Sequence, residues 1–375
     1  MHPSSLLSYY PTYAILDEII TKDNYKQVNF FFDLKNNLQS TYMEHAIVNI
    51  VNSSKKANHF DTSIFSSIVS FLTFHKMWAI KRDVQVNFFV FFESGQSYYH
   101  KNISKTYKIS RQIDDLYGLD RADRELFFRV IHANFQLIER ALNLMPKTKV
   151  IRLNHLEADF VPYYLITRNM VELSPHHVNI IYSNDHDLYQ CARHDTYIFS
   201  KAGRTKRIVQ KGEVMKNFLK KDTNIPEEYY PLAMAVIGDV GDDVTGVKDI
   251  GPARFVDVFP LLIELTGDME TIYKKVRSNS PLFDPSTAEI QNKLLKKILD
   301  AERTKQQITK NLKLVSFELL ARELDDPSDT QMIERKKLIQ KTLDDNSYVP
   351  CEMMKTQLEK TGVMLEQASI DFLYL

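Results

Sequence analysis

Seven carboxylates, with an eighth beside them, stand where local geometry can gather them. Asp33 and Glu93 each close a short apolar run, VNFFFD and VNFFVFFE. Glu157 and Asp159 lie in HLEADF, Asp185 and Asp187 in SNDHDLYQ, and Asp239 with the outer candidate Asp242 in IGDVGDDVTG. In extended chain, residues i and i+2 point to one face, so Asp185 and Asp187 can share a site where a strand ends. Glu157 and Asp159 have the same spacing but would diverge in a full helix; both serve only at or before a first helical turn. Asp239 and Asp242, three apart, are expected to share a face across a helix end. Close carboxylates repel, and without a cation several take raised pKa values or stay in water. All-oxygen donors suit Mg²⁺ or Mn²⁺. Two such ions ~4 Å apart activate a water and stabilise the leaving oxygen in phosphodiester cleavage. Singly, each acid reads as a solvated loop residue or helix cap; their order and their coincidence with strand ends point to a metal centre.

A second chemical signal is glycine. The chain has ten, and Gly238, Gly241, Gly246 and Gly251 fall within GDVGDDVTGVKDIGPAR. Such clustering marks special backbone. Gly246-Val247-Lys248-Asp249-Ile250-Gly251 is a G-V-x-x-I-G turn expected between two helices, with Pro252 suited to the first position of the second. A helix start of this kind can hold a backbone phosphate without reading a base, and Lys248 and Arg254 add charge. The plainer alternative is a packing corner between helices.

The elements that must position these residues follow from hydrophobic pattern. Residues 28–34, 86–93 and 178–184 are continuous apolar runs, with helical patterns over 41–57 and 63–82 between the first two. Short apolar runs separated by helices predict parallel strands buried on both faces, the alternation of an α/β sheet. Ligands of such sheets sit beyond the carboxyl ends of the strands, where all three runs end in acid. VIRL at 150–153 is strand-like, and 121–145 is amphipathic helix. Residues 193–212 predict a strand-turn-strand, and the stretch 201–220 is strongly basic, with Arg204, Lys206 and Arg207 able to track a duplex backbone. A helical pattern at 226–237 precedes the glycine cluster, and 285–345 is charged and helical.

Together these motifs resemble the FEN-like 5′-nucleases: phage 5′→3′ exonucleases and phage-type RNase H, the 5′-nuclease domain of bacterial DNA polymerase I, and cellular flap endonucleases. The match runs in order from about 28 to 320. Its most specific element is IGDVGDDVTGVKDIGPAR, which looks like the family's helix–three-turn–helix. HLEADF resembles its E-A-D-D or E-A-E motif, SNDHDLYQ its S-x-D-x-D segment, and TYKISR the Y-K-x-x-R of its helical arch. The resemblance implies a PIN-like, mostly parallel central sheet flanked by helices, with a helix–three-turn–helix subdomain and a helical C-terminal extension. Residues 1–190 would be the nuclease core, with the arch at about 101–130. Residues 191–320 would be the DNA-binding part and 321–375 the extension. It further implies that Asp33, Glu93, Glu157, Asp159, Asp185, Asp187 and Asp239 ligate two Mg²⁺ ions, replaceable by Mn²⁺, with Asp242 acting directly or through water. Lys108 and Arg111 would contact the scissile phosphate and Tyr107 would stack on a terminal base. Gly246, Val247, Ile250 and Gly251 would grip the duplex, in some members through K⁺. Two positions depart from the pattern: Glu93 stands where the family usually has Asp, and Phe160 where phage and bacterial members usually have a second Asp.

The implied activity is a structure-selective 5′→3′ exonuclease or flap endonuclease acting on duplex DNA or RNA–DNA with a 5′ end or flap. It would remove primers and flaps in phage replication, as a monomer in the host cytoplasm. The alternative is a non-catalytic duplex DNA-binding replication factor with a degenerate site, against which the near-complete acid set argues. The ending Ser369-Ile370-Asp371-Phe372-Leu373-Tyr374-Leu375 resembles short apolar tails that dock on a sliding clamp, through Ile370, Asp371, Phe372, Leu373 and Tyr374.

Composition bounds all of this. The chain has 375 residues, 44% hydrophobic and 26% charged, an ordinary globular mix. No run approaches the ~20 apolar residues of a membrane span, and the first twenty residues carry no secretory pattern. Two cysteines, Cys191 and Cys351, exclude a disulfide scaffold and a four-cysteine zinc site. Lys+Arg and Asp+Glu balance at 48 each, so any nucleic-acid partner needs locally segregated charge.

Overall fold

The structure, a computed structural model, describes residues 13–34, 62–109, 135–136, 138–170, 176–202, 205–283, 292–348, 350, 352–353 and 355–356. The expected helix at 41–57, most of the arch, Arg111, Arg204 and the C-terminal tail with Ile370–Tyr374 lie outside the described residues. Of the stretch 121–145, only its last part is described, and there it is helical over 138–142.

The three apolar runs form strands, as predicted: β1 (Gln27–Asp33), β2 (Gln85–Ser94) and β4 (His177–Tyr182). VIRL lies within β3 (Thr148–Asn154), and the strand-turn-strand is β5 (Thr196–Ala202) with β6 (Thr205–Val209). One six-stranded sheet results, in the order β3-β2-β1-β4-β5-β6. The first five strands are parallel and β6 pairs antiparallel at the edge. The basic 193–212 segment is therefore the far edge of the central sheet.

Register is fixed by buried amides. Asn29 lies level with Asn87 on one side and Asn179 on the other, and Asn179 lies level with Thr196. The Asn29 amide donates to Asn179 Oδ1 (3.1 Å), and its own Oδ1 accepts from Gln27 (3.0 Å) and Asn87 (3.0 Å). A one-residue slip would turn every phenylalanine to the other face and strand these amides without partners, so the repeated Val-Asn-apolar triplet aligns the strand ends that carry acid.

Both faces are covered, as continuous apolar strands require. One holds Phe30, Phe32, Phe88 and Val90 against α1 (Tyr13–Lys22) and α2 (Thr62–Lys81). There His75 is fully buried between Phe71 O (2.8 Å) and the Tyr182 hydroxyl (2.7 Å), and burial holds its pKa down at about 3. The opposite face holds Phe31, Phe89 and Phe91 in a cluster that continues through the described helices after β3. Among them are α4 (Val161–Thr167), α6 (Tyr230–Ile237), α7 (Pro252–Thr266), α10 (Gln307–Val315) and α11 (Phe317–Leu324). Helix α3 (Tyr98–Ile103) precedes them, α5 (Val214–Leu219) stands between α4 and α6, and α8 (Met269–Arg277) and α9 (Lys293–Lys305) between α7 and α10. Phe160 is wholly buried in this cluster, so an apolar side chain occupies the position of the expected second acid. Helix α12 (Thr330–Asp344) packs on the edge strand β3 and covers a ladder edge otherwise open to pairing. Among the described residues, no helix is long and apolar enough to cross a membrane.

Candidate metal centre and nucleic-acid interface

The chain leaves β1 to one side for β2 and β3, then returns to the other side of β1 as β4. This reversal places a crevice beyond the carboxyl ends of β1 and β4, the general ligand position of open α/β sheets. Asp33 is the last residue of β1 and is buried; its Oδ2 accepts from the Ser183 hydroxyl (3.1 Å), and Ser183 Oγ accepts from the Asp185 amide (3.1 Å). Ser183 thus ties the ends of β1 and β4 together. Glu93 is half-buried on β2, two residues beyond Phe91, the register partner of Asp33, and so on the same sheet face.

Glu157 and Asp159 lie in the loop between β3 and α4, before helical geometry begins, which is the condition for both to serve. Asp185 is extended and caps a short 3₁₀ turn, His186–Cys191, accepting from the Asp187 amide (3.0 Å); Asp187 is in that turn's first residues and is 5% exposed. Asp239 and Asp242 depart from expectation. The chain after α6 forms a small hairpin, β7 (Gly238–Asp239) and β8 (Val244–Thr245), with Asp239 on a strand and Asp242 in its turn, not across a helix end. Glycine makes this possible. Gly238 has φ +89°, and a Cβ on Gly246 would lie 1.8 Å from Ile237 O. From α10, Asn311 donates to Ala235 O and Thr245 O, and Gln307 to Thr245 O and Gly246 O, all at 2.8 Å. A segment two hundred residues downstream of β2 therefore holds the acidic hairpin in place.

The acids converge. One ligand atom each from Asp187, Asp239 and Asp242 lie within 4.8 Å of one another, as do atoms of Asp185, His186 and Asp187. Asp187 belongs to both groups. Tyr107 and Lys108 join Glu157 to Asp242. The Lys108 ammonium lies 2.6 Å from Glu157 Oε1 and 3.1 Å from Asp242 Oδ2, and its amide donates to Asp242 O (3.1 Å). The Tyr107 hydroxyl is 3.0 Å from both Glu157 Oε2 and Asp242 Oδ2. Its ring, 3% exposed, stacks on His100 at 4.8 Å.

Electrostatics divide the carboxylates into two kinds. Burial alone would raise the Glu157 pKa, but the charges of Lys108 and His100 and the hydrogen bonds of Lys108 and Tyr107 hold it down at about 2. Asp159 is pushed well up by burial and by Glu157, and Asp187 by burial and by Asp185, Asp242 and Asp239. Oδ1 of Asp159 and Oδ1 of Asp187 are buried without a hydrogen-bond partner. Buried oxygens left this way are costly unless something else satisfies them. A divalent cation fits: the donors are carboxylates with one imidazole, the set that hard and borderline divalent metals take. Burial lowers the His186 pKa, but Asp239, 3.4 Å away, with Asp185 and Asp242, raises it overall.

The chain resembles, in fold, the phage T5 5′-exonuclease. A structure of that exonuclease with bound zinc has TM-score 0.55, 16% identity, and covers 85% of this chain and 100% of its own. A structure of the bacteriophage T5 flap endonuclease with DNA and metal ions has TM-score 0.54 at the same 16% identity, covering 85% of this chain and 100% of its own. No family model and no curated relative matches the chain. The mixed α/β architecture with its mostly parallel central sheet is thus the fold of these nucleases.

The remaining described sequence candidates lie in the turn before α7 and on the edge strand β6. Val247 and Ile250 are buried (4% and 3% exposed) and anchor the turn, with Val247 N–H on Val236 O (2.8 Å). Lys248 is exposed; Arg254, also exposed, donates to Asp249 O (2.7 Å), and Gly251 leads into α7 with open space at its Cα. Arg207 is exposed on β6, and Lys206 is on the same strand. Sequence reasoning missed His186, although it stands between the two aspartates of NDHD. It also missed Ser183 and the seating of Tyr107 and Lys108 among the acids.

Proposed function

We propose that the chain is a divalent-metal-dependent, structure-selective 5′-nuclease hydrolysing phosphodiesters of DNA and RNA–DNA duplexes that carry a 5′ end or flap. The observation that carries this reading is the convergence of Asp33, Glu157, Asp159, Asp185, Asp187, Asp239 and Asp242, from four separate segments, at the sheet's reversal point beside a glycine-rich helix–turn–helix. Asp159, Asp185, Asp187, Asp239 and Asp242 would hold Mg²⁺ or Mn²⁺, with Asp33, Glu93 and Glu157, the other expected ligands, completing the set. When bound, such cations would supply charge neutralisation and Lewis acidity at the phosphodiester.

The chain's own residues do the rest. Lys108 neutralises Glu157 and Asp242 and supplies positive charge where a phosphate approaches, with Arg111 assigned the same role. Tyr107, held protonated by burial and its anionic neighbours, orients the two carboxylates it touches. Exposed Lys248, Arg254 and Arg207, with Arg204 and Lys206, bind duplex phosphates without reading bases, and the Gly246–Gly251 turn is the place for K⁺. Primer and flap removal in replication, and docking of the Ile370–Tyr374 segment on a sliding clamp, complete the reading. Comparing a 5′-flap duplex, a nicked duplex and single-stranded RNA in one gel tests it. Flap and nick are cleaved in preference to the single strand; equal or exclusive cleavage of single-stranded RNA contradicts duplex selection.

A further inference from the structure

A cavity apart from the acidic centre lies at the other end of the sheet. The acids stand beyond the carboxyl ends of the strands, whereas this cavity, of about 1140 Å³, opens at their amino ends. Asp23 and Tyr25 line it from just before β1, His177 from the first position of β4 and Asp195 from just before β5. The crossover from β4 to β5 joins the two places: Asp185 and Asp187 stand near its start, and Tyr189, Gln190 and Arg193 line the cavity further along. The cavity is a little larger than a typical small-molecule pocket of ~300–1,000 Å³.

Its walls are held in place by the protein itself. The Gln190 side chain donates to Val315 O (2.8 Å) and Asp187 O (3.2 Å) and accepts from the Phe317 amide (2.9 Å), and the Tyr163 hydroxyl donates to Glu318 (3.0 Å). Tyr189, Tyr273, Met215 and Met269 are anchored in the apolar cluster and give the lining rings and soft apolar surface. Charge is unevenly matched. Four acids line the cavity, and three are committed: Asp23 accepts from the Tyr25 hydroxyl (3.1 Å), Asp195 lies 3.0 Å from His177 Nε2, and Glu227 accepts from the amides of Gly212 (2.6 Å) and Val214 (3.0 Å). Among the cations, Lys216 pairs with Asp222 (2.7 Å). Arg193 and Lys211 are exposed and enter no ion pair among the described residues, with Glu228 alone to offset them. His194, next to Arg193, adds positive charge when protonated.

Tyrosine and methionine surface, together with unpaired positive charge, suits a ligand that carries both a planar ring and an anionic group. We propose that this cavity is a second ligand site, which takes a nucleoside phosphate: the base against the tyrosines and methionines, the phosphate on Arg193 and Lys211. A guanidinium can engage two phosphate oxygens at once, and an ammonium supplies a point charge. The site stands on its own lining and does not depend on the nuclease reading above.

The test uses the full chain in EDTA, so that no divalent ion draws phosphate to the acidic centre. Isothermal titration calorimetry with adenosine 5′-monophosphate, adenosine, ribose 5-phosphate and inorganic phosphate should show a single saturable site, filled most tightly by the nucleotide. Arg193→Ala should weaken nucleotide binding roughly 10- to 150-fold, the range for losing one charge-assisted hydrogen bond, with the melting temperature unchanged, and Lys211→Ala should act alike. Photolabelling with 8-azidoadenosine 5′-monophosphate should mark the segments 189–195 or 211–231. Four results overturn the site: no saturable nucleotide binding, ribose 5-phosphate bound as tightly as the nucleotide, full affinity in both variants, or label on the hairpin at 239–242. If the chain cleaves flap DNA in Mg²⁺ but binds no nucleotide in EDTA, the site falls alone; if it binds the nucleotide but cleaves nothing, the nuclease reading falls alone.

Discussion

Asp187→Asn should stabilise the metal-free protein at pH 8 and abolish its stabilisation by metal. Asp187 is buried, one carboxylate oxygen has no hydrogen-bond partner, and burial with Asp185, Asp242 and Asp239 raises its pKa. The folded state therefore holds a proton that the unfolded chain releases. Stability from this group is full below the ordinary carboxylate pKa and is lost as pH climbs from there towards the raised value. Asp159 and His186 are raised too and act in the same direction. The isosteric amide removes the Asp187 share, so its advantage in EDTA is largest at pH 8 and closes towards pH 5. Metal reverses the sign. A cation at one hundred times its Kd adds about 2.7 kcal/mol. An unfolding entropy of about 2.1 cal/mol/K per residue over 375 residues gives roughly 0.8 kcal/mol/K, so one site raises the melting temperature by about 3–4 °C. Asp187 belongs to both carboxylate groups, so the variant should lose most of that rise. Differential scanning fluorimetry in EDTA, Mg²⁺ and Mn²⁺ at pH 5–8 measures all of this. A variant less stable than wild type in EDTA at pH 8, or one that keeps the full metal-induced shift, refutes the reasoning.

Tyr107→Phe removes a hydroxyl whose single proton serves Glu157 or Asp242; losing one charge-assisted hydrogen bond costs about 1.5–3 kcal/mol, read by urea titration in EDTA. Asn29→Val leaves the amides of Gln27, Asn87 and Asn179 without their shared partner, so stability should fall by roughly 3 kcal/mol, whereas a neutral effect would deny that the ladder matters. His75 is neutral when folded, with pKa about 3; its contribution is complete above pH 6.5 and lost as pH falls, by about 2 kcal/mol at pH 5. The wild type should lose that much between pH 7 and 5 relative to His75→Gln in chemical denaturation.

Much of the sheet was legible because its strands are buried on both faces, so VNFFFD, VNFFVFFE and VNIIY could hardly be anything else. Their acidic ends followed from that, as did placing Glu157 and Asp159 before a helix. The hairpin carrying Asp239 and Asp242 was not legible, because two-residue strands have no hydrophobic period; only Gly238 and Gly246, whose backbones nearly touch, hint at it. Tyr107 and Lys108 read as arch residues facing a terminal base and the scissile phosphate, because local sequence cannot show that the distant Glu157 and Asp242 come to meet them. The stretch 285–345 read only as charged and helical, yet Gln307 and Asn311 hold the acidic hairpin's carbonyls.

The central claim is that these carboxylates hold divalent cations that cut a phosphodiester, and cleavage of a 5′-flap duplex by wild type and Asp239→Asn tests it most directly. The account predicts 5′-phosphate products with Mg²⁺ or Mn²⁺, none in EDTA, and a loss of at least about 100-fold in the variant, the scale of several kcal/mol of metal-borne charge stabilisation. No cleavage with either ion, or equal cleavage by Asp239→Asn, would contradict it.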